Sequence, residues 1–290
     1  MEATLQNYKK EFGQYKNAWP ILFGLLVLYV PTTFTLLNGP WEKTEYAHGP
    51  IVLAVVLWLI WREREHWTTL EARPSKLAGS LILGFGCLLY ALGRSQTIML
   101  FEVGSAIPVV TGVLLLTKGW PAIRKLWFPI AFIVFLVPLP GFIIDALTGP
   151  LKMNVSMIVN EILYNAGYPI ARNGVVLTIG PYQLLIADAC SGLNSMYALS
   201  ALGLLFVYLK QTGSKLQNAI LIASILPIAF ITNIVRVLVL SLITYYLGDE
   251  AGQGFTHDFA AFMEFVIALG LLFVVDVILV FSFTRRTKNV

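Results

Sequence analysis

The sequence predicts an all-α, polytopic membrane protein of about eight transmembrane helices. Of its 290 residues, 57% are hydrophobic and 12% are charged, about half the charge that coats a soluble domain. The mean hydropathy is +0.75, and several apolar runs approach the ~20 residues a helix needs to cross a ~30 Å hydrocarbon core. The basic residues fall in short clusters between those runs, which is how topology is encoded and not how a nucleic-acid surface is built. A soluble enzyme is excluded, and no nucleic-acid partner is implied. Two cysteines without a C-x-x-C pair, Cys87 and Cys190, leave no disulfide scaffold, zinc site or dithiol centre.

Eight apolar segments follow in order: Trp19–Leu37, Gly49–Trp61, Leu77–Leu92, Thr97–Thr117, Ile123–Val137, Ala189–Leu209, Leu216–Leu247 and Phe259–Phe283. The second and fifth are short for a full crossing. The seventh is too long for one straight span, and Pro227 inside it predicts a kink or break. The residues before Trp19 are mostly polar and no small-residue cleavage site follows the first run, so the N-terminal segment is expected to be retained. The whole chain, 1–290, reads as one transmembrane domain.

Orientation comes from the cations. With the N-terminus in the cytoplasm, 15 of the 20 Lys and Arg fall on the inner side, from Lys9 and Lys10 to Arg285, Arg286 and Lys288. Only Lys43, Arg94, Lys152 and Arg172 fall outside, and Arg236 lies within a span. That asymmetry, with an even helix count, predicts cytoplasmic termini at both ends.

The stretch from Pro138 to Asp188 is then external. Leu151, Val155, Ile158, Val159, Ile162 and Leu163 share a helical face, opposed by Lys152, Asn154, Ser156, Asn160 and Glu161. This pattern, stopped by Gly167 and Pro169, predicts an interfacial helix. Val175–Ile179 and Tyr182–Ala187, joined at Gly180-Pro181, predict a small β-hairpin. No internal repeat is present, which weakens a reading as an inverted-repeat transporter.

Three residues gather at the outer side under this topology. Cys190 opens the sixth span within Ala187-Asp188-Ala189-Cys190-Ser191-Gly192, among small and polar residues at a helix N-terminus, where the dipole lowers a thiol pKa. Arg236 lies 11 residues before Leu247, about 16 Å down the helix, deeper than an arginine reaches by snorkelling. An arginine in a span costs at least ~2.5–3.5 kcal/mol, so a partner or polar cavity must receive it. His257 stands at the start of the eighth span. Together they suit acyl transfer: a thiolate attacks a carbonyl, an imidazole moves the proton and a fixed cation stabilises the oxyanion. His48 and His66 have weaker claims, and Cys87, among Gly84, Gly86 and Leu88, reads as a small core residue.

These residues resemble the exosortase/archaeosortase family of membrane cysteine transpeptidases. The resemblance covers most of the chain: Tyr46-Ala47-His48-Gly49-Pro50, Trp61-Arg62-Glu63-Arg64, Ala189-Cys190-Ser191-Gly192, Asn233-Ile234-Val235-Arg236 and His257. It implies Cys190 as nucleophile, His257 as acid/base and Arg236 as electrostatic clamp. It also implies an inner-membrane enzyme whose active site faces outward. Its substrates would be membrane-anchored proteins with a C-terminal tail made of a Pro-Glu-Pro-like motif, a transmembrane helix and a basic cluster. Bacterial members often accompany exopolysaccharide production. The chain has Ala261 where the family often has glycine, which leaves the subtype open. No metal or organic cofactor is implied. The exact tail motif, the acceptor nucleophile and the oligomeric state are not encoded legibly. The competing readings are an anion or lipid transporter using Arg236 as its substrate site, and a non-catalytic scaffold.

Overall fold

Helices form wherever the sequence is continuously apolar, because a backbone in hydrocarbon must satisfy its own hydrogen bonds. The computed structural model describes residues 19–42, 46–185, 192–210, 214–248 and 255–288. It divides into two compact units, Met1–Pro138 and Leu139–Val290.

In the first unit the helices are α1 (Trp19–Leu37), α2 (Gly49–Arg62), α3 (Arg64–Thr68), α4 (Lys76–Ser95), α5 (Met99–Gly104), α6 (Ala106–Thr117), α7 (Trp120–Lys125) and α8 (Trp127–Phe132). A 3-10 turn, Ile133–Leu136, continues α8. Helix α4 carries buried Gly79, Gly86 and Gly93 one heptad apart. A side chain at Gly86 would meet the backbone of Val109, and one at Gly93 the backbone of Glu102. Small residues in register let two membrane helices approach backbone to backbone, and here they seat α4 on α5 and α6. Cys87, on the same helix, is exposed and not a core residue. It shares its side of α4 with the exposed Leu81, Phe85, Leu88 and Leu92.

In the second unit lie α9 (Gly141–Asn165), strands β1 (Ile170–Asn173), β2 (Val176–Ile179) and β3 (Tyr182–Leu185), and helices α10 (Gly192–Lys210), α11 (Lys215–Leu247) and α12 (Phe255–Lys288). Among the described residues, five segments are long and apolar enough to cross a membrane: Trp19–Leu37, Lys76–Ser95, Met99–Thr117, Lys215–Leu247 and Phe262–Ser282. Gly49–Arg62, Trp127–Leu136 and Tyr197–Lys210 are apolar but shorter. Among the described residues, five of the predicted eight runs thus give helices of spanning length and Gly49–Arg62 and Trp127–Leu136 are short, while α10 itself is 19 residues long. The fifth run falls short because it is divided between α7, α8 and the 3-10 turn. Pro227 does not break α11, which continues through it.

The stretch between the fifth and sixth apolar runs holds more order than a hairpin. Its sheet has three antiparallel strands in the order β1-β2-β3, with Asn173 opposite Val176 and Ile179 opposite Tyr182. Both two-residue turns begin with a glycine of positive φ, Gly174 at 62° and Gly180 at 57°, as the primed turns that match strand twist require. Helix α9 begins earlier than the amphipathic pattern indicates, at Gly141. Its Val155, Val159 and Leu163 pack on Ile170, Leu177, Ile179 and Leu184 of the sheet and on Val237 and Leu240 of α11. Ser156, on the predicted polar face, is buried instead and donates to the Gly174 carbonyl at 2.9 Å, tying helix to turn.

Candidate active site

Helix α11 is the axis of the second unit, with half of its most apolar window buried in protein, against 17% for the spanning part of α12. Its buried face carries a series of polar residues: Thr232, Asn233, Arg236, Ser241 and Thr244. Helix α12 runs antiparallel to it. Gln217 near the start of α11 donates to the Leu279 carbonyl, and Arg236, further along, meets Glu264.

Arg236 has the partner that its depth requires. Its Nη1 lies 3.2 Å from Glu264 Oε2, and the two side chains are 1% and 0% exposed. In low dielectric a charge-assisted contact is strong, and the carboxylate makes the arginine tolerable where an isolated cation would not be. Sequence reasoning demanded a partner and did not name this one. A signal was present: Glu264 interrupts the apolar eighth run seven residues after His257, and a carboxylate inside a span must itself be matched.

Position 257 falls in the first turn of α12, although its side chain is outside the described set. Seven residues are nearly two full turns, so positions 257 and 264 share a face about 10 Å apart along the axis. The antiparallel pairing sets Glu264 beside Arg236, so position 257 stands about two turns nearer the Leu247 end than the ion pair does. Cys190 lies outside the described residues, in the interval between β3 and α10. The three predicted site residues all fall in the second unit, and the structure describes one of their side chains, that of Arg236.

The sheet is fixed to the same end of α11. The β2–β3 turn rests on Tyr245, whose ring a side chain at Gly180 would approach to 3.3 Å. Tyr168, Tyr245 and Tyr246 stack edge to face, and the Tyr168 and Tyr246 hydroxyls lie 3.1 Å apart. Aromatic residues with polar tips favour the membrane–water boundary.

Two other acidic residues inside apolar helices are also matched. Asp276 of α12 pairs with Lys210 at the end of α10. Glu102 accepts from Arg94 Nη1 at 3.0 Å and from Thr32 Oγ1 at 2.7 Å. The remaining histidines belong to the first unit. His48 precedes α2, and burial pushes its imidazole below the ordinary histidine value; His66 lies in α3 with Nδ1 3.5 Å from Glu63. Among the described residues no three His, Cys, Asp or Glu come together as metal ligands.

In comparison with protein families, a model of the transmembrane exosortases matches residues 41–274. It spans from Trp41, whose indole occupies the space a side chain at Gly49 would need, to Val274 in α12, and includes positions 190, 236 and 257. Comparison with curated proteins gives no match, and neither does comparison with solved structures.

Proposed function

Since this chain belongs to the transmembrane exosortase family, whose general role is that of a membrane transpeptidase or protease, we propose that it cleaves the C-terminal sorting tails of exported proteins through a thioester on Cys190. The observation that carries this reading is the buried Arg236–Glu264 pair. A guanidinium is held rigidly inside the membrane-embedded body, about two turns below position 257. Such a site can orient an acyl group and stabilise charge without reorganising solvent.

The reaction divides into two steps. The Cys190 thiolate adds to the scissile carbonyl, the peptide C–N bond breaks, and the departing amine takes its proton from His257. An amine or water then adds to the thioester carbonyl and gives its proton to His257, the C–S bond breaks, and the sulfur leaves as thiolate. Arg236 either stabilises the oxyanion of these additions or holds a carboxylate of the recognised motif. Both roles use the planar fork of arginine, which lysine does not reproduce.

The proposed substrates are membrane-anchored proteins bearing a Pro-Glu-Pro-like motif, a transmembrane helix and a basic cluster. Enzyme and tail then meet in two dimensions, with the scissile bond held at interfacial depth. The proposed setting is the inner membrane, with eight crossings, cytoplasmic termini and the sheet on the outer side; a link to surface-polysaccharide production follows from the family alone. The transporter reading loses one support, because α11 has no break at Pro227 to act as a gate.

The test is the C-terminal mass of a Pro-Glu-Pro-tailed protein co-expressed with the intact enzyme or with Cys190→Ala. The reading expects tail loss with the intact enzyme alone. Equal processing by both would remove Cys190 as nucleophile.

A further inference from the structure

Four buried polar atoms on two packed helices lack hydrogen-bond partners among the described residues. They are Asn233 Oδ1, Ser241 Oγ and Thr244 Oγ1 of α11, and Asn160 Oδ1 of α9. Asn233, Ser241 and Thr244 are 4%, 1% and 0% exposed. The contrast within α11 is informative. Thr232 Oγ1 donates to the Ile228 carbonyl at 3.0 Å, and Ser224 Oγ donates to the Leu221 carbonyl at 2.7 Å. Hydroxyls in an apolar helix ordinarily satisfy themselves in this way. Ser241 and Thr244 do not, although both have helix carbonyls within reach of a rotamer change.

Their placement is not scattered. Asn233, Arg236, Ser241 and Thr244 belong to the buried face of α11, over about 16 Å of its length. Asn160 comes from α9, which packs on that part of α11 through Val155 and Val159. Through the antiparallel pairing of Arg236 with Glu264, Ser241 stands between the depth of the ion pair and that of position 257, and Thr244 stands about level with position 257. Buried polar groups in folded proteins are satisfied by protein or by ordered water, and a polar space with several such groups holds water where an apolar one stays dry.

We propose that a water-filled seam runs along α11 from its Leu247 end past Arg236 to Asn233, and that Thr244, Ser241, Asn160 and Asn233 are its binding sites for water. On the peptidase reading, on which this use of the seam rests, it brings the acceptor to a reaction enclosed by lipid. The water oxygen adds to the thioester carbonyl, its proton passes to His257, and the C–S bond breaks with the sulfur leaving as thiolate. The seam would also hydrate the Arg236–Glu264 pair from one side and soften the cost of burying it.

Thiol labelling tests the seam without requiring activity. In a full-length Cys87→Ser/Cys190→Ala background reconstituted in vesicles, Ser241→Cys and Thr244→Cys would be exposed to a membrane-impermeant methanethiosulfonate, with Val235→Cys and Val239→Cys as controls. Val239 lies about 3 Å from Ser241 along the helix and is its depth-matched control, whereas Val235 lies about 9 Å deeper; the two are 43% and 38% exposed, on the side turned away from the protein. Thiols react as thiolates, which need water. The seam predicts labelling at 241 and 244 at least about tenfold faster than at 235 and 239; equal or slower labelling there overturns it. A second measurement guards against misfolded cysteine variants. If the pocket is dry, Ser241→Ala and Thr244→Val remove orphaned polar atoms and raise the Tm. If it is hydrated, they leave the Tm unchanged or lower it, so a rise overturns the proposal. Either failure leaves thiol-dependent tail cleavage standing.

Discussion

At the scale of single residues, the Arg236–Glu264 pair separates stability from chemistry. Removing one member of a buried pair leaves an uncompensated charge, at about 3–5 kcal/mol, whereas replacing both by apolar residues is often neutral or stabilising. Glu264→Ala should therefore lower the unfolding midpoint in detergent strongly. Arg236→Met combined with Glu264→Leu should restore the midpoint to near that of the parent while tail processing stays absent. A double variant that recovers both would show the arginine to be structural. Arg236→Lys keeps the charge and loses the fork, so processing should fall at least about tenfold even where the midpoint is preserved; near-normal turnover would count against a bidentate role. The sequence made the need for a partner legible, because an arginine 11 residues from a helix end is too deep to snorkel. Its identity was harder to read, since pairing Arg236 with Glu264 requires knowing which helices are neighbours and at what depth they match.

At the scale of elements, close backbone approach is the constraint that substitutions expose. A side chain at Gly93 would overlap the backbone of Glu102, and one at Gly49 would overlap the Trp41 indole. Gly93→Ala and Gly49→Ala are each expected to lower stability by about 1–3 kcal/mol, the usual cost of overpacking, while Gly84→Ala, with open space around it, should be neutral. Thermal unfolding of the three variants checks this ordering. The segment between α8 and α10 shows why periodicity reads some elements and misses others. The β2–β3 turn was visible in Gly180-Pro181 between two β-prone runs. Strand β1 was not, because Arg172 and Asn173 weaken its apolar alternation; the Asn173-Gly174 turn signal was the available clue. Ser156 was assigned to a polar face by helical period alone, yet tertiary contact with the Gly174 carbonyl buries it. Pro227 predicts a kink or break in the seventh run, yet α11 continues through it, since a proline in a membrane helix is tolerated where neighbouring groups satisfy the freed carbonyl.

At the scale of the whole molecule, cations and aromatic residues encode a position in the bilayer. Arg62 stacks over Trp58 and Arg64 over Trp61, at 5.4 and 4.1 Å, pairing a cation with an interfacial ring at the end predicted to be cytoplasmic. The Tyr168, Tyr245 and Tyr246 cluster marks the Leu247 end of α11. Reporter fusions after Lys210 and after Lys288 should report the cytoplasm, and one within the Gly174 turn the outer side. A cytoplasmic signal at Gly174 would invert the proposed topology and place the site on the wrong side of the membrane for exported substrates. Hydropathy read the apolar runs well because lipid imposes one rule on every residue of a span. It does not register how a run such as Ile123–Val137 divides between α7, α8 and the 3-10 turn.

The most direct test of the central claim is the covalent intermediate itself. Enzyme incubated with a tailed substrate in detergent and quenched in acid should carry an adduct with the mass of the substrate segment upstream of the cut. That adduct should be released by neutral hydroxylamine, as a thioester is, and be missing in Cys190→Ala. Tail cleavage that proceeds with no hydroxylamine-sensitive adduct, or an adduct that persists in Cys190→Ala, would contradict a mechanism through this cysteine.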